Sequence, residues 1–560
     1  MVRAFLAVFT HEVRGMHEAA YLLAAFALSS QLLALLRDRL FAGTFGAGET
    51  LDIYFAAFRI PDLLFATVAS LLSLYALLPI LSRLEEERPG LAVSFLGQAL
   101  LLFFCGMLLV ASVLYFLAPT LAPLVAPGIT GEAERAQLVL LTQMLLLQPI
   151  LLGASNILAA LTQLRHRFYL YAVSPLLYNL GIIGGIVFFY PVVGIAGLGW
   201  GVVLGAFLHL LIQALFFLQE KRAPFVPLPR LTASLREVLW LSIPRTLSLA
   251  AGQISLMLLI ALASLFAPGS IAVFSFAFNL QAVPLTIIGV SYSVAAFPTL
   301  ARFFAAGNNK DFLSHIEAAL RHILFWAVPA TILVVVLRAQ IVRTVLGSGA
   351  FDWDATRLTA AALALFVIAL VAQSVVLLIS RAYYAAGKTA TPLYLAALSV
   401  IVSVGSALAL IAVFNTDTFV QNFLESLLRV PNIPGTVVLM LAFGYALGSI
   451  AQAALGLWFL KHDFNVSLHS LRRLAFQSFG ASIIGGAATY ATLWYVGSYI
   501  DINTLPGIFT QGAAGGVVGI TITTLVLVLL KNEELAETLS ALKRRFKDTS
   551  PVALEPTDVS

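Results

Sequence analysis

Charge is scarce in this sequence: Asp, Glu, Lys and Arg together make up 11% of its 560 residues, where a soluble chain carries about 25%. With 60% of the residues hydrophobic, the shortage excludes a large soluble domain. Apolar windows long enough to cross a hydrocarbon core of about 30 Å recur from end to end instead. Cysteine is rarer still. Cys105 stands alone, which excludes an intramolecular disulfide and a multi-thiolate metal site, and its place in an apolar run reads as packing. The eight histidines are scattered, without HExxH or any paired ligand spacing, and no GxxxxGK[ST] phosphate loop is present. No enzymatic constellation, metal site or cofactor is therefore expected, and ATP is not the direct driver. The net charge of +5 is small and spread over many loops, so nothing points to nucleic acid.

What is there is a polytopic, all-α membrane protein. Hydropathy with Pro, Gly and charge breaks predicts fourteen helical spans, near 19–37, 51–82, 91–118, 135–163, 168–190, 193–219, 243–266, 270–303, 316–337, 356–384, 390–414, 437–461, 473–499 and 506–530. The segment before them, "MVRAFLAVFTHEVRGM", is too short and interrupted for a span, and no small-residue cleavage site follows it. It is expected to lie along the membrane surface rather than to be a removed signal peptide. An even number of spans puts both termini on one side. That side then holds 23 of the Lys and Arg residues and the other side seven, with Arg59 and Arg245 inside spans, so the positive-inside rule places both termini in the cytoplasm.

The chain also resembles itself at an offset of about 220 residues: "YFAAFRIPDLL" (54–64) matches "FSFAFNLQAVP" (274–284), and "LLPILSRL" (77–84) matches "AFPTLARF" (296–303) with one residue of slippage. Six spans per copy make the repeat parallel, a common transporter architecture with the substrate site at the interface of the copies. The expected organisation is two pseudo-symmetric six-helix lobes, 1–222 and 223–465, followed by two extra helices over 466–530 and a cytoplasmic tail over 531–560. In that tail Leu535, Leu539, Leu542 and Phe546 form one apolar stripe beside "KRRFK" (543–547), which predicts an amphipathic helix resting on anionic lipid.

The charges that remain inside the spans carry the functional question. Arg37 and Asp38 sit at the outer end of the first span, and Asp52, Arg59 and Asp62 recur at helical spacing in the second. An unpaired Arg near the bilayer centre costs at least about 2.5–3.5 kcal/mol, so these groups must face protein or a watery cavity. One reading has Arg59 and Asp62 neutralising each other between packed helices. The other has Arg37, Arg59 and Arg245 presenting a net positive chamber to an anionic substrate, with Gln253 and Ser255 of the seventh span and Asn279, Gln281, Ser291 and Ser293 of the eighth as a polar wall. Pro61, Pro79, Pro244, Pro284 and Pro298 supply bends in both copies.

Local strings then resemble the MurJ (MviN) family of lipid II flippases, in the multidrug/oligosaccharidyl-lipid/polysaccharide exporter superfamily. The family's first span usually reads S-R-x-L-G-x-x-R-D, where this chain has Ser30-Gln31-Leu32-Leu33-Ala34-Leu35-Leu36-Arg37-Asp38. Its second reads D-A-F-x-x-A-F-(K/R)-x-P-N-x-x-R, where this chain has Asp52 to Phe65 with Arg59, Pro61 and Asp62 in register. Residues 244–302 resemble the family's seventh and eighth spans. The resemblance implies a flippase for a polyprenyl-pyrophosphate-linked glycan, lipid II foremost, in the bacterial cell membrane, with membrane lipids and cell-wall synthesis proteins as partners. It also implies that the last two spans form a groove for the polyprenyl tail, and the small residues of "GASIIGGAATYATLWYVG" (480–497) and "GIFTQGAAGGVVGITITT" (507–524) suit the close packing required. Gln31, Phe65 and Asn279 stand where the family usually has arginines that meet the pyrophosphate, and Ser70 where an E-G pair often begins. Two rival functions stay open on the sequence. A cation-coupled multidrug exporter of the same superfamily needs a buried carboxylate, for which only Asp52 and Asp62 qualify; a non-transporting scaffold for cell-wall synthesis would fit the missing arginines.

Overall fold

A computed structural model describes residues 16–72, 74–87, 91–219, 233–466, 469–502 and 504–547. Every regular element among them is helical. The segment expected along the membrane surface, up to Gly15, lies outside the described residues, as do the link between the two sequence lobes at 220–232 and the end of the tail beyond 547.

Among the described residues, ten helices are long and apolar enough to cross a membrane, or eleven if Trp353–Ile368 and Leu370–Ala385 make one span. They coincide with eleven of the fourteen predicted spans. The other three are helical as well. Met16–Phe45 contains the charge-free apolar stretch 19–36, followed by Arg37, Asp38 and Arg39. The second predicted span is divided into Glu49–Ala57, Arg59–Thr67, a short 3-10 turn Ala69–Leu72 and Leu74–Glu87. His469–Gly497 is diluted by Gly, Ser, Thr and Tyr.

The chain folds into two compact units, and neither is a continuous segment. The first comprises Met1–Val283, Val342–Ala369 and Gly387–Leu455. Its core includes Leu77, Leu81, Leu96, Met107, Ile157 and Leu161, all almost fully buried. Within it Phe168–Gly184 and Ile195–Gln219 approach until backbones touch: a Cβ on Gly185 would lie 2.6 Å from the Gly201 Cα, and one on Gly181 2.2 Å from the Gly205 Cα. Only glycine permits that spacing. The same helix loosens into a π-turn at Gly185–Phe189, a local irregularity of the kind that supplies bends.

The second unit comprises Pro284–Ile341, Leu370–Ala386 and Gly456–Ser560. His469–Gly497 packs closely on Leu505–Leu529, where a Cβ on Gly519 would meet the Thr489 Oγ1 at 2.1 Å and one on Gly485 the Thr523 Oγ1 at 1.9 Å. Gln511 ties the pair by donating from Nε2 to the Leu493 carbonyl at 2.8 Å. The tail forms the helix Glu533–Lys547. It is anchored more firmly than an amphipathic surface helix requires, because Leu535 is buried with Phe325, Leu474, Ala481 and Leu527.

Candidate functional site

The polar residues of the first span come to lie in the first unit among three helices. Met16–Phe45 delivers Arg37 and Asp38 side by side. The Arg37 guanidinium donates from Nε at 2.9 Å and from Nη2 at 2.7 Å to Asp38 Oδ1, and from Nη1 at 3.1 Å to Asn179 Oδ1 on Phe168–Gly184. Asn279, on Ser270–Leu285, donates from Nδ2 to Asp38 Oδ2 at 3.2 Å. Asn179 is oriented in turn by its donation to the Pro175 carbonyl at 3.1 Å, on the same helix. Asp38 is only 3% exposed, so its charge is tolerable because a guanidinium and an amide both donate to it. Of the five N–H donors on a guanidinium, these contacts leave one on each terminal nitrogen of Arg37, and its side chain keeps 19% of its surface open.

Arg59 and Asp62 form a second pair, Nη2 to Oδ2 at 3.4 Å, half-buried on the short helix Arg59–Thr67. Arg59 also donates from Nε to the Phe55 carbonyl at 3.2 Å, bridging the break at Phe58. That break ends the stripe expected of Asp52, Arg59 and Asp62. Asp52 faces elsewhere. Its Oδ2 accepts from the Gly269 N–H at 2.6 Å and its Oδ1 from the Ala272 N–H at 2.8 Å. It thereby caps the N-terminus of Ser270–Leu285 from a distant part of the chain, satisfying donors that a helix leaves orphaned. Gly269 is held at φ +91°, and a Cβ there would meet the Ala47 carbonyl oxygen at 2.2 Å. Residues 46–48 therefore pack beside this cap.

Gln31, Arg245, Gln253, Ser255 and Gln281 are dispersed within the same unit, whereas Ser291 and Ser293 fall in the second. Gln31 is half-buried on Met16–Phe45, and Arg245 and Gln253 are half-buried on Ala233–Ala263; the hydrogen bonds of Arg37 go to Asp38 and Asn179 rather than to any of these three. Thr246, next to Arg245, meets the Ser70 hydroxyl at 2.9 Å. Phe65, in the place of a family arginine, packs against the apolar core. Asn179 is the member of the group that sequence reasoning misses. Its signal is an amide alone in the apolar string "SPLLYNLGIIGG" (174–185), with Pro175 one turn before it.

The arrangement is two arginines held in place, each neutralised by a neighbouring carboxylate, with unused N–H donors on Arg37. Such a group is stable when empty. An anionic phosphate can exchange with the carboxylates or take the unused donors, through the bidentate geometry that guanidinium offers.

Comparison with known proteins gives a concordant result. Residues 41–508 match the family model described as lipid II flippase MurJ. A probable lipid II flippase MurJ of Rhizobium tropici is 27% identical over 69% of this chain and 73% of its own, and a lipid II flippase MurJ of Burkholderia cenocepacia is 25% identical over 68% and 76%. Among solved structures, a lipid II flippase MurJ in an inward closed conformation superposes with TM-score 0.68 at 19% identity, covering 91% of this chain and all of the other. An inward-facing multidrug resistance MATE family transporter of the MOP superfamily gives 0.63 at 16% identity, over 78% and 94%. These structural likenesses concern the fold alone.

Proposed function

The chain belongs to the lipid II flippase MurJ family, and from that membership we propose that it carries a polyprenyl-pyrophosphate-linked glycan, lipid II foremost, from the inner to the outer leaflet of the bacterial cell membrane by alternating access. The observation that carries the reading at residue level is the buried Arg37 group. A guanidinium fixed by Asp38 and Asn179 yet left with free N–H donors is suited to a pyrophosphate and poorly suited to a cationic drug. Arg59, with Asp62 as its resting partner, supplies a second cation. Arg245, Gln31, Gln253 and Asn279 belong to the proposed polar lining. Asp52 holds the helix that carries Asn279 and reaches the substrate only through it.

The wider organisation follows the same reading. The two six-helix lobes, 1–222 and 223–465, move against each other, and the last two spans over 466–530 hold the polyprenyl tail. Both termini face the cytoplasm, as the 23 to seven bias of basic residues supports, and cell-wall synthesis proteins are the protein partners. The test is reconstitution of the purified chain in vesicles with labelled lipid II, a cationic drug under an imposed ion gradient, or neither. The reading predicts appearance of lipid II in the opposite leaflet. Drug-coupled cation flux without lipid movement would favour the exporter, and no movement of either would favour the scaffold.

A further inference from the structure

The second unit holds a cavity of about 340 Å³ far along the chain from the residues discussed above, lined by Arg321, Arg473, Leu474, Gln477, Lys531, Glu533 and Glu534. Its frame is well made. Gln477 donates from Nε2 to the Leu530 carbonyl at 3.2 Å and accepts from Asn532 Nδ2 at 3.0 Å, pinning the turn after Leu505–Leu529 to the helix His469–Gly497. Lys531 occupies that turn in the left-handed region, at φ 51°. Asn532 caps the tail helix through the Leu535 N–H at 2.9 Å. Arg321 donates to Glu534 at 2.6 Å and to Glu533 at 3.4 Å, so both carboxylates in the wall are already engaged by one cation. Arg473 and Lys531 remain, and among the described residues neither enters an ion pair.

The cavity lies among three helices, with Arg321 from the first third of Asn309–Leu346, Arg473 and Gln477 from the start of His469–Gly497, and Lys531 just beyond the end of Leu505–Leu529. Phe476 is 83% exposed, Phe479 56% and Leu529 80%, large apolar groups beside Arg473 and Lys531 in the chain that need hydrocarbon around them. The tail helix runs on from the cavity toward "KRRFK" (543–547). We propose that this cavity is a binding site for the headgroup of an anionic phospholipid, its phosphate between Arg473 and Lys531 and its acyl chains along Phe476, Phe479 and Leu529. Three cations against two carboxylates leave the wall net positive, while the flanking apolar groups favour a lipid over a free anion. Basic pockets between helices at the membrane surface recognise anionic headgroups by this combination, and ligand binding to the native state raises its thermal stability.

The test measures the melting temperature of the full-length protein in neutral detergent, titrated with phosphatidylglycerol, phosphatidylcholine or inorganic phosphate, for the wild type and for the pair Arg473→Ala with Lys531→Ala. Both side chains are exposed, so the unliganded pair variant should melt near the wild type. Phosphatidylglycerol should raise the wild-type melting temperature, and the other two additives should not. In the pair variant the apparent lipid affinity should fall roughly twenty-fivefold, about fivefold for each surface cation removed. An equal shift in wild type and variant would overturn the site. An equal shift with phosphatidylcholine would remove the role of charge, and a shift with inorganic phosphate alone would remove the lipid. If the unliganded pair variant melts much lower, Arg473→Lys with Lys531→Arg, which keeps both charges, must retain the lipid response; loss there would also overturn it.

Discussion

Asp38, Asp52 and Asp62 are three carboxylates in apolar surroundings with three different partners: a guanidinium and an amide for Asp38, two backbone N–H groups for Asp52, and one half-buried guanidinium for Asp62. Each partner predicts its own response to substitution. Asp52→Ala should lower stability by about 2 kcal/mol, the scale of a lost cap with buried donors left unpaired. It is read as a lower melting temperature, and the fraction that remains folded should bind glycolipid normally. Asp52→Asn, which keeps one acceptor, should recover part of the loss. Weakened glycolipid binding at unchanged stability would make Asp52 a ligand instead. Spacing alone identifies these residues as buried charge, since Arg37, Asp52, Arg59 and Asp62 all stand in apolar strings. It cannot distribute the partners. Gly269 and Ala272 lie 217 and 220 residues from Asp52, and a backbone N–H leaves no mark in a sequence.

Among the elements, long apolar helices are the easiest to read, because a span of roughly 20 apolar residues has few alternatives in lipid. The eleven spans of that kind fall where hydropathy puts them. The second predicted span is one helix over 51–82 by hydropathy and four pieces in the structure. Pro61, in the first turn of Arg59–Thr67, cannot donate to the Ala57 carbonyl and so marks the interruption at Phe58, while the one at Val68 has no glycine or proline to announce it. The direction of the helices is open to direct measurement after Cys105 is replaced by Ala. Single cysteines at Glu132 and Asn422 should react with an impermeant thiol reagent from outside intact cells, while one at Lys310 should not. Gly128 lies in the connection that leads into Glu132 but is a poor position, since a Cβ there would collide with the Ser264 backbone at 1.7 Å. Labelling of Lys310→Cys alone would reverse the proposed orientation of the termini.

For the whole molecule, a sequence with few charges and a weak internal repeat suffices to indicate fold and family, because family strings around Arg37 and Arg59 survive even where three expected arginines do not. The compact units are not legible in it. They are assembled from separated segments of chain, and one boundary falls at Pro284, within Ser270–Leu285. The central claim is that Arg37 and Arg59 are kept for a pyrophosphate and that their carboxylates only neutralise them while the site is empty. Removing one arginine alone confuses binding with stability, because Asp38 would be stranded at 3% exposure. The decisive measurement is therefore lipid II binding and translocation in vesicles by two charge-balanced variants, Arg37→Ala with Asp38→Asn and Arg59→Ala with Asp62→Ala. The account predicts that both fold with melting temperatures near wild type, bind lipid II more than about tenfold weaker, a loss of about 1.4 kcal/mol, and translocate little of it. A stable variant of either pair that moved lipid II at the wild-type rate would contradict it, since a ligand for pyrophosphate cannot be restored by removing a second charge.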